Sequence, residues 1–185
     1  RRVGMSARHL LSLLDTVMAM ARFNAGVAAV NTEPVRIAEV AREAVQILGP
    51  AAEAKFQSLR LDGAADATVT ADGARLRQVL INLIGNAVKF TPQEGSITVA
   101  TTVRRVDGVP WGEIRVTDTG PGIAESEQAA IFEPYYRSEG TALLPGLGLG
   151  LAISHALVKQ MGGEMELESE LGVGSFFVVR FPLAL

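Results

Sequence analysis

Four stretches of this 185-residue chain place residues able to do chemistry at telling intervals. The first, RQVLINLIGNAVKFT from Arg77 to Thr91, reads as a helix carrying Asn82, Asn86 and Lys89. At 100° per residue, Leu76, Val79, Leu80, Leu83, Ile84, Ala87 and Val88 share one apolar arc, while Arg75, Gln78, Asn82, Asn86 and Lys89 fall along its edge. Asparagine is a mediocre helix former and buried amides need partners. The stripe therefore either borders a cleft or is a wet helix face, and taken alone the segment leaves both open. The second stretch, DTGPGI from Asp118 to Ile123, follows the strand-like EIRV. It puts a carboxylate at a strand end, before two glycines that permit a sharp turn and close approach of a ligand; an ordinary turn is the plainer reading. The third, GLGLGLAI from Gly146 to Ile153, opens directly into a helix. Backbone N–H groups exposed there suit a phosphate chain, although a flexible hinge has the same texture. It is neither a Walker A loop nor a Rossmann turn. GVGSFF, Gly172 to Phe177, reads as a glycine turn between strands.

The elements that must position these residues follow from periodicity. Val3, Ala7, Leu10, Leu14, Val17, Ala21 and Asn24 repeat at alternating intervals of four and three, the seam of a coiled coil or helical bundle, with a stop at Asn24-Ala25-Gly26. From about residue 33, EPVRI reads as a short strand and Ile37 to about Lys55 as a helix, which Gly49-Pro50 should kink or interrupt. SLRLD and ATVTA read as strands, and Asp72 as the cap of the asparagine-bearing helix. SITVATTVRRV and WGEIRVTDTG read as strands paired around Asp107-Gly108. A short helix is expected over about Glu125 to Phe132 and another from the glycine run to Met161. EMELESE and SFFVVRFPL close the chain as strands. The expected fold class is α+β, a two-layer sandwich of a mixed, mostly antiparallel sheet with helices on one face, preceded by one bundle-type helix.

Composition narrows the chemistry. Lys plus Arg (17) nearly balance Asp plus Glu (20), with no basic run, which speaks against nucleic-acid binding. Without cysteine there is no disulfide framework and no thiolate zinc site, and two histidines are too few for most metal clusters. No apolar run approaches the ~20 residues that span a bilayer, so direct membrane insertion is not expected and a cytoplasmic setting is.

In this order the four stretches resemble the N, G1, G2 and G3 boxes of the GHKL superfamily of ATP-binding domains. That group includes sensor histidine kinases, gyrase B, a class of heat-shock chaperones and mismatch-repair ATPases. IFEPYYR, Ile131 to Arg137, resembles the F box of the histidine-kinase branch. MARFNAG, at the end of the first helix, is similar to the close of the second helix of a dimerisation and histidine-phosphotransfer hairpin. The resemblance implies a Bergerat fold over residues 33–185, with residues 1–26 a remnant of the hairpin.

It also implies roles. Asn86 would hold Mg²⁺ bridging the phosphates of ATP, Asn82 would support the metal and phosphate region, and Lys89 and Arg137 would offset phosphate charge. Asp118 would accept from the adenine amine, Gly120 and Gly122 would let the chain pass close to the base, and Phe90 and Ile123 would wall the pocket. The segment 137–148 would be the lid. Its run Gly146, Leu147, Gly148, Leu149 and Gly150 would line the phosphates, and Phe132, Tyr135 and Tyr136 would pack its base.

The implied activity is transfer of the γ-phosphoryl from ATP to a histidine on a helical hairpin, with a response regulator downstream and a homodimer formed through the first helix. The usual acceptor pattern is absent. His9 has no acid after it and reads as a bundle residue, and His155 as a packing or exposed one, so self-phosphorylation is not expected. A parent protein could be membrane-anchored. Alternatives are a catalytically silent ATP-binding module, a GHKL ATPase of the gyrase or chaperone type, and an anti-sigma-factor serine kinase.

Overall fold

The computed structural model describes residues 30–65, 67–138 and 147–184; the first helix and its role in dimerisation lie outside the described residues. In chain order come β1 (Glu33–Arg36), α1 (Ile37–Glu53), β2 (Ser58–Ala64), β3 (Thr68–Ala71), α2 (Gly73–Phe90), β4 (Ser96–Val106) and β5 (Val109–Asp118). Two 3₁₀ turns, Glu125–Glu127 and Ala130–Phe132, precede α3 (Gly150–Gln160), β6 (Glu164–Glu170) and β7 (Gly174–Pro182). One sheet runs β2-β4-β5-β7-β6, and β1 pairs with β3 in a two-stranded ribbon at its side. Only β2 and β4 are parallel, so the sheet is mixed and mostly antiparallel, as expected.

Helix α2 is the centre of the helical layer, packed between α1 and α3. Its N-terminus is capped by Asp72, whose Oδ1 accepts from the Arg75 N–H at 3.0 Å. The seven apolar residues of the predicted arc are its seven buried residues. The Leu, Ile and Val among them each contribute roughly 1.5–3 kcal/mol on burial. They meet Ile97 and Val99 of β4, Ile114 and Val116 of β5, and Phe177, Val179 and Phe181 of β7 in one core. The β4–β5 hairpin turns at Asp107 and Gly108 with φ of 49° and 82°, the left-handed pair that an Asp-Gly turn supplies.

Two expectations are corrected. Pro50 does not interrupt α1, which runs on to Glu53 with Pro50 inside it. The proline lies in the last turn, where one N–H is lost, and its own carbonyl accepts from Ala54 N at 3.2 Å. The helix expected over Glu125 to Phe132 is two separate 3₁₀ turns. The segment is below the ~12 residues that sustain a free helix, and Gln128 pins it by donating to the carbonyls of Ile123 and Ser169.

The sheet face away from the helices is sealed by charge. Glu113, with a side chain 3% exposed, lies 2.9 Å from Arg180, 3.5 Å from Arg115 and 3.7 Å from Arg104. Arg180 also reaches Glu166 at 2.7 Å, and Arg115 lies over the Phe176 ring at 4.6 Å. Val178, buried on that face, lies in register between Arg115 and Glu166. Glu166 and Glu113 hold the Arg180 guanidinium firmly charged, raising its pKa. Among the described residues no helix is long and apolar enough to cross a membrane.

Candidate functional site

Helix α2 meets the glycine run through Asn82 and the DTGPGI loop through its C-terminal residue Phe90. Asn82 Nδ2 donates to the buried Ser154 Oγ of α3 at 2.9 Å. A Cβ on Gly150 would overlap the Asn82 carboxamide, so the start of α3 closes on α2 only because residue 150 is glycine. Asn86 is half-buried one turn further along α2. Lys89, also half-buried, has its Nζ 4.5 Å from the Phe90 ring centroid. Burial lowers the Lys89 pKa, and the like charge of Arg137 lowers it further, so two cations approach one region. The carbonyl of Phe90 would lie 3.5 Å from a Cβ on Gly120, which brings the end of α2 against the loop after β5.

Asp118 ends β5, the middle strand of the sheet. Its Oδ1 accepts from the Gly120 N–H at 2.8 Å. Burial raises its pKa, opposed by the backbone N–H groups of Gly120 and Ser175. A partly desolvated acceptor is thus held at the strand end. Gly122 takes a φ of +70°, and a side chain there would collide with the backbone of Glu170, while Gly172 N donates to Pro121 O at 2.6 Å. The N–H of Ile123 donates to Ser169 Oγ at 2.8 Å, and the Ile123 side chain packs on the core. The DTGPGI loop is thereby locked to the β6–β7 hairpin.

Of the glycine run, Leu147 and Gly148 are half-buried and Leu149 is 1% exposed, its side chain turned inward as an anchor. Gly148 has a φ of +71°, and its carbonyl accepts from Tyr135 N at 3.0 Å. Gly146 and most of the expected lid, residues 139–146, lie outside the described residues. Phe132 packs its ring 5.0 Å from His155 and edge-on to Phe177 at 6.5 Å. Tyr136 donates to Glu127 at 2.9 Å. Tyr135 departs from expectation: it has a φ of +66° and is 64% exposed, and its backbone N–H is what meets the glycine run. His155 is a packing residue whose pKa is lowered by burial and by Lys159.

Sequence reasoning missed Ser154, Lys55 and Gln57. Ser154 follows Gly150 by four positions and so shares its helix face, a signal visible in hindsight. Lys55 Nζ donates to the carbonyls of Val88, Lys89 and Thr91 at 2.7, 3.1 and 2.8 Å. No local pattern announces that. Among the described residues no group of three or more His, Cys, Asp or Glu could hold a metal. A hard cation here would rest on neutral amide oxygens, ligand oxygens and water, a donor set that suits Mg²⁺ better than zinc.

A two-layer sandwich whose central helix joins a glycine run through Asn82 and meets the loop after a strand-end aspartate at Phe90 has the arrangement of an ATP-binding domain of the GHKL class. The comparisons agree. The family of histidine kinase-, DNA gyrase B- and HSP90-like ATPases matches residues 71–185, and the chain belongs to it. Similar curated proteins include the non-motile and phage-resistance protein of Caulobacter vibrioides, 35% identical over 96% of this chain and 21% of its own length. The circadian input-output histidine kinase CikA of Synechococcus elongatus is 35% identical over 96% of this chain and 24% of its own. A crystal structure of full-length ShkA in complex with AMPPNP superimposes with a TM-score of 0.85 at 36% identity, covering 97% of this chain and 37% of that one. Within the family, the chain is a catalytic ATP-binding domain of the sensor histidine kinase type. It spans about a fifth of the length of the curated relatives it matches.

Proposed function

We propose that the chain binds Mg-ATP and presents its γ-phosphoryl to a histidine on a helical hairpin, as the catalytic part of a two-component kinase. The single observation that carries this reading is the convergence of two separated stretches on α2: Gly150 and Ser154 on Asn82, and Gly120 on Phe90.

In this reading Asp118 accepts from the adenine amine. Guanine, with a carbonyl in that place, would leave two acceptors face to face. Gly120 and Gly122 admit the base, and Phe90 and Ile123 flank it. Asn86 would hold Mg²⁺, which supplies charge neutralisation on the phosphates when bound. Asn82 orients the start of α3, Lys89 and Arg137 offset negative charge, and Gly146 to Gly150 offer backbone N–H groups to the phosphates. Catalysis is then mainly positioning and electrostatic compensation.

Residues 1–26 are a remnant of the dimerisation hairpin and 33–185 the catalytic domain. The partners are a hairpin bearing the acceptor histidine, a response regulator and, through the first helix, a second copy. A cysteine-free composition fits a cytoplasmic setting. The gyrase-type alternative needs a carboxylate four residues before Asn86 to activate water. That position is Asn82, already engaged with Ser154.

The test is calorimetric titration with a non-hydrolysable ATP analogue, with Mg²⁺ and with a chelator, followed by phosphoryl transfer from labelled ATP to an added histidine-bearing hairpin. Magnesium-dependent binding and label on the hairpin are expected. No heat for adenine nucleotides would overturn the reading, and steady hydrolysis without label transfer would favour the ATPase.

A further inference from the structure

The C-terminus of α2 is held from outside the helix. Val88 and Lys89 lie among the last residues of α2, where carbonyls lack intrahelical partners. Both accept from Lys55 Nζ, as does Thr91 just beyond the helix, at 2.7–3.1 Å. Gln57 Nε2 adds bonds to Val88, Thr91 and Pro92 at 3.1, 2.7 and 3.2 Å. An ammonium at this end also complements the negative pole of the helix dipole.

The two clamp residues flank a backbone outlier. After α1 the chain makes a Schellman turn: Gln57 N donates to Ala52 O at 3.0 Å and Phe56 N to Glu53 O at 2.9 Å. Its left-handed position, which usually takes glycine, is Phe56, at φ 55° and 72% exposed. A bulky residue is strained there and gains little from burial. The turn throws Phe56 into solvent and brings Lys55 and Gln57 onto the same two carbonyls of Val88 and Thr91. Nothing in α1 itself requires this arrangement.

What the clamp holds is the segment facing the candidate nucleotide: Lys89, with its Nζ beside the Phe90 ring, and Phe90, with its carbonyl against Gly120. We propose that Lys55, assisted by Gln57, is a positioning residue for the nucleotide site, fixing Lys89 and Phe90 in place through the carbonyls at the end of α2. This rests on the ATP-binding reading. Lys55 contacts backbone carbonyls and acts through Lys89 and Phe90 rather than on the nucleotide.

The experiment compares the full chain with Lys55→Met and Lys55→Arg by calorimetry with AMPPNP and Mg²⁺, at a temperature where circular dichroism gives each variant the wild-type fold. Losing a pre-organised Lys89 and Phe90 costs affinity, so Lys55→Met is expected to weaken binding about tenfold. Lys55→Arg, which keeps charge and donors, is expected to restore most of it. In amide spectra of the unliganded chain, Lys89 and Phe90 should shift in Lys55→Met and return in Lys55→Arg. If Lys55→Met does not fold, Gln57→Leu takes its place, with a smaller loss expected. Affinity unchanged in a folded Lys55→Met, or in Gln57→Leu where that stands in, would overturn the positioning role and leave ATP binding intact. A wild-type chain that binds no AMPPNP would overturn the site reading and the positioning role with it.

Discussion

The side-chain amide of Asn82 donates to the buried hydroxyl of Ser154 at 2.9 Å, and its carboxamide fills the space that a side chain on Gly150 would need. The middle of α2 and the start of α3 are therefore fitted to one another by an amide, a hydroxyl and a missing methyl. Gly150→Ala should overpack this junction and destabilise the chain by about 1–3 kcal/mol. Ser154→Ala, which leaves an amide hydrogen unpaired, should lose about 1–3 kcal/mol. Urea unfolding of both variants checks this. Gly150→Ala as stable as wild type would mean that the two helices part freely.

Asn86→Ala removes an oxygen at the rim of the core, where truncation should change stability by no more than about 0.5 kcal/mol. Nucleotide affinity in the presence of Mg²⁺ should fall by about tenfold or more, on the scale of a lost charge-assisted bond. The same titration with a chelator should hardly distinguish variant from wild type. Equal affinity with magnesium present would remove Asn86 from metal binding.

Asp118 is a half-buried carboxylate at the end of β5. Its pKa is raised above the usual 3.8, chiefly by burial, so the folded chain binds that proton more tightly than the unfolded chain does. Stability contributed by this group is full below the ordinary value and is lost as pH rises through the raised one. At neutral pH its charge works against folding. Asp118→Asn keeps an oxygen for the Gly120 N–H and should raise the melting temperature of the nucleotide-free chain at pH 7. It should also weaken ATP binding, because an amide oxygen is a poorer acceptor for the adenine amine. Thermal scans at pH 4 and pH 7, with and without nucleotide, separate the two effects.

His155 titrates with the opposite sign. Burial and Lys159 lower its pKa below 6.5, so the unfolded chain takes up that proton first. The stability involved is complete above about 6.5 and is lost as pH falls toward the lowered value. His155→Gln should flatten the melting-temperature profile across that window. It also removes the tilted ring contact with Phe132.

Glu113 is buried among three arginines on the sheet face that, among the described residues, no helix covers. Glu113→Ala leaves Arg180, whose side chain is 14% exposed, with Glu166 as its remaining carboxylate partner, and should destabilise by about 1–3 kcal/mol. Glu113→Ala together with Arg180→Met should recover part of that loss, measured by denaturant unfolding.

The residues that periodicity placed correctly are those whose partners are many and alike. The arc from Leu76 to Val88 faces an oily sheet that accepts any apolar side chain at the right angle, so spacing alone identifies it. Asp118 could be placed at a strand end because strand and turn chemistry are both local. Lys55 and Gln57 were invisible because their partners lie 31–36 residues away and are backbone carbonyls, which carry no sequence. Glu113 reads as one more outward residue of an alternating strand, and only the register opposite Arg180 reveals its role. Pro50 misled because a proline's effect depends on how many turns follow it, and α1 was already ending.

The rear of the sheet has one further consequence. Most domains of two layers that leave a sheet bare must hide it against a neighbour, yet here guanidinium and carboxylate groups make a wettable skin, and the outermost strand β6 turns Glu164, Glu166 and Glu168 to water. This surface can thus face water without gumming to its own copies. Exchange those ionic residues for leucine, and the same surface becomes an adhesive.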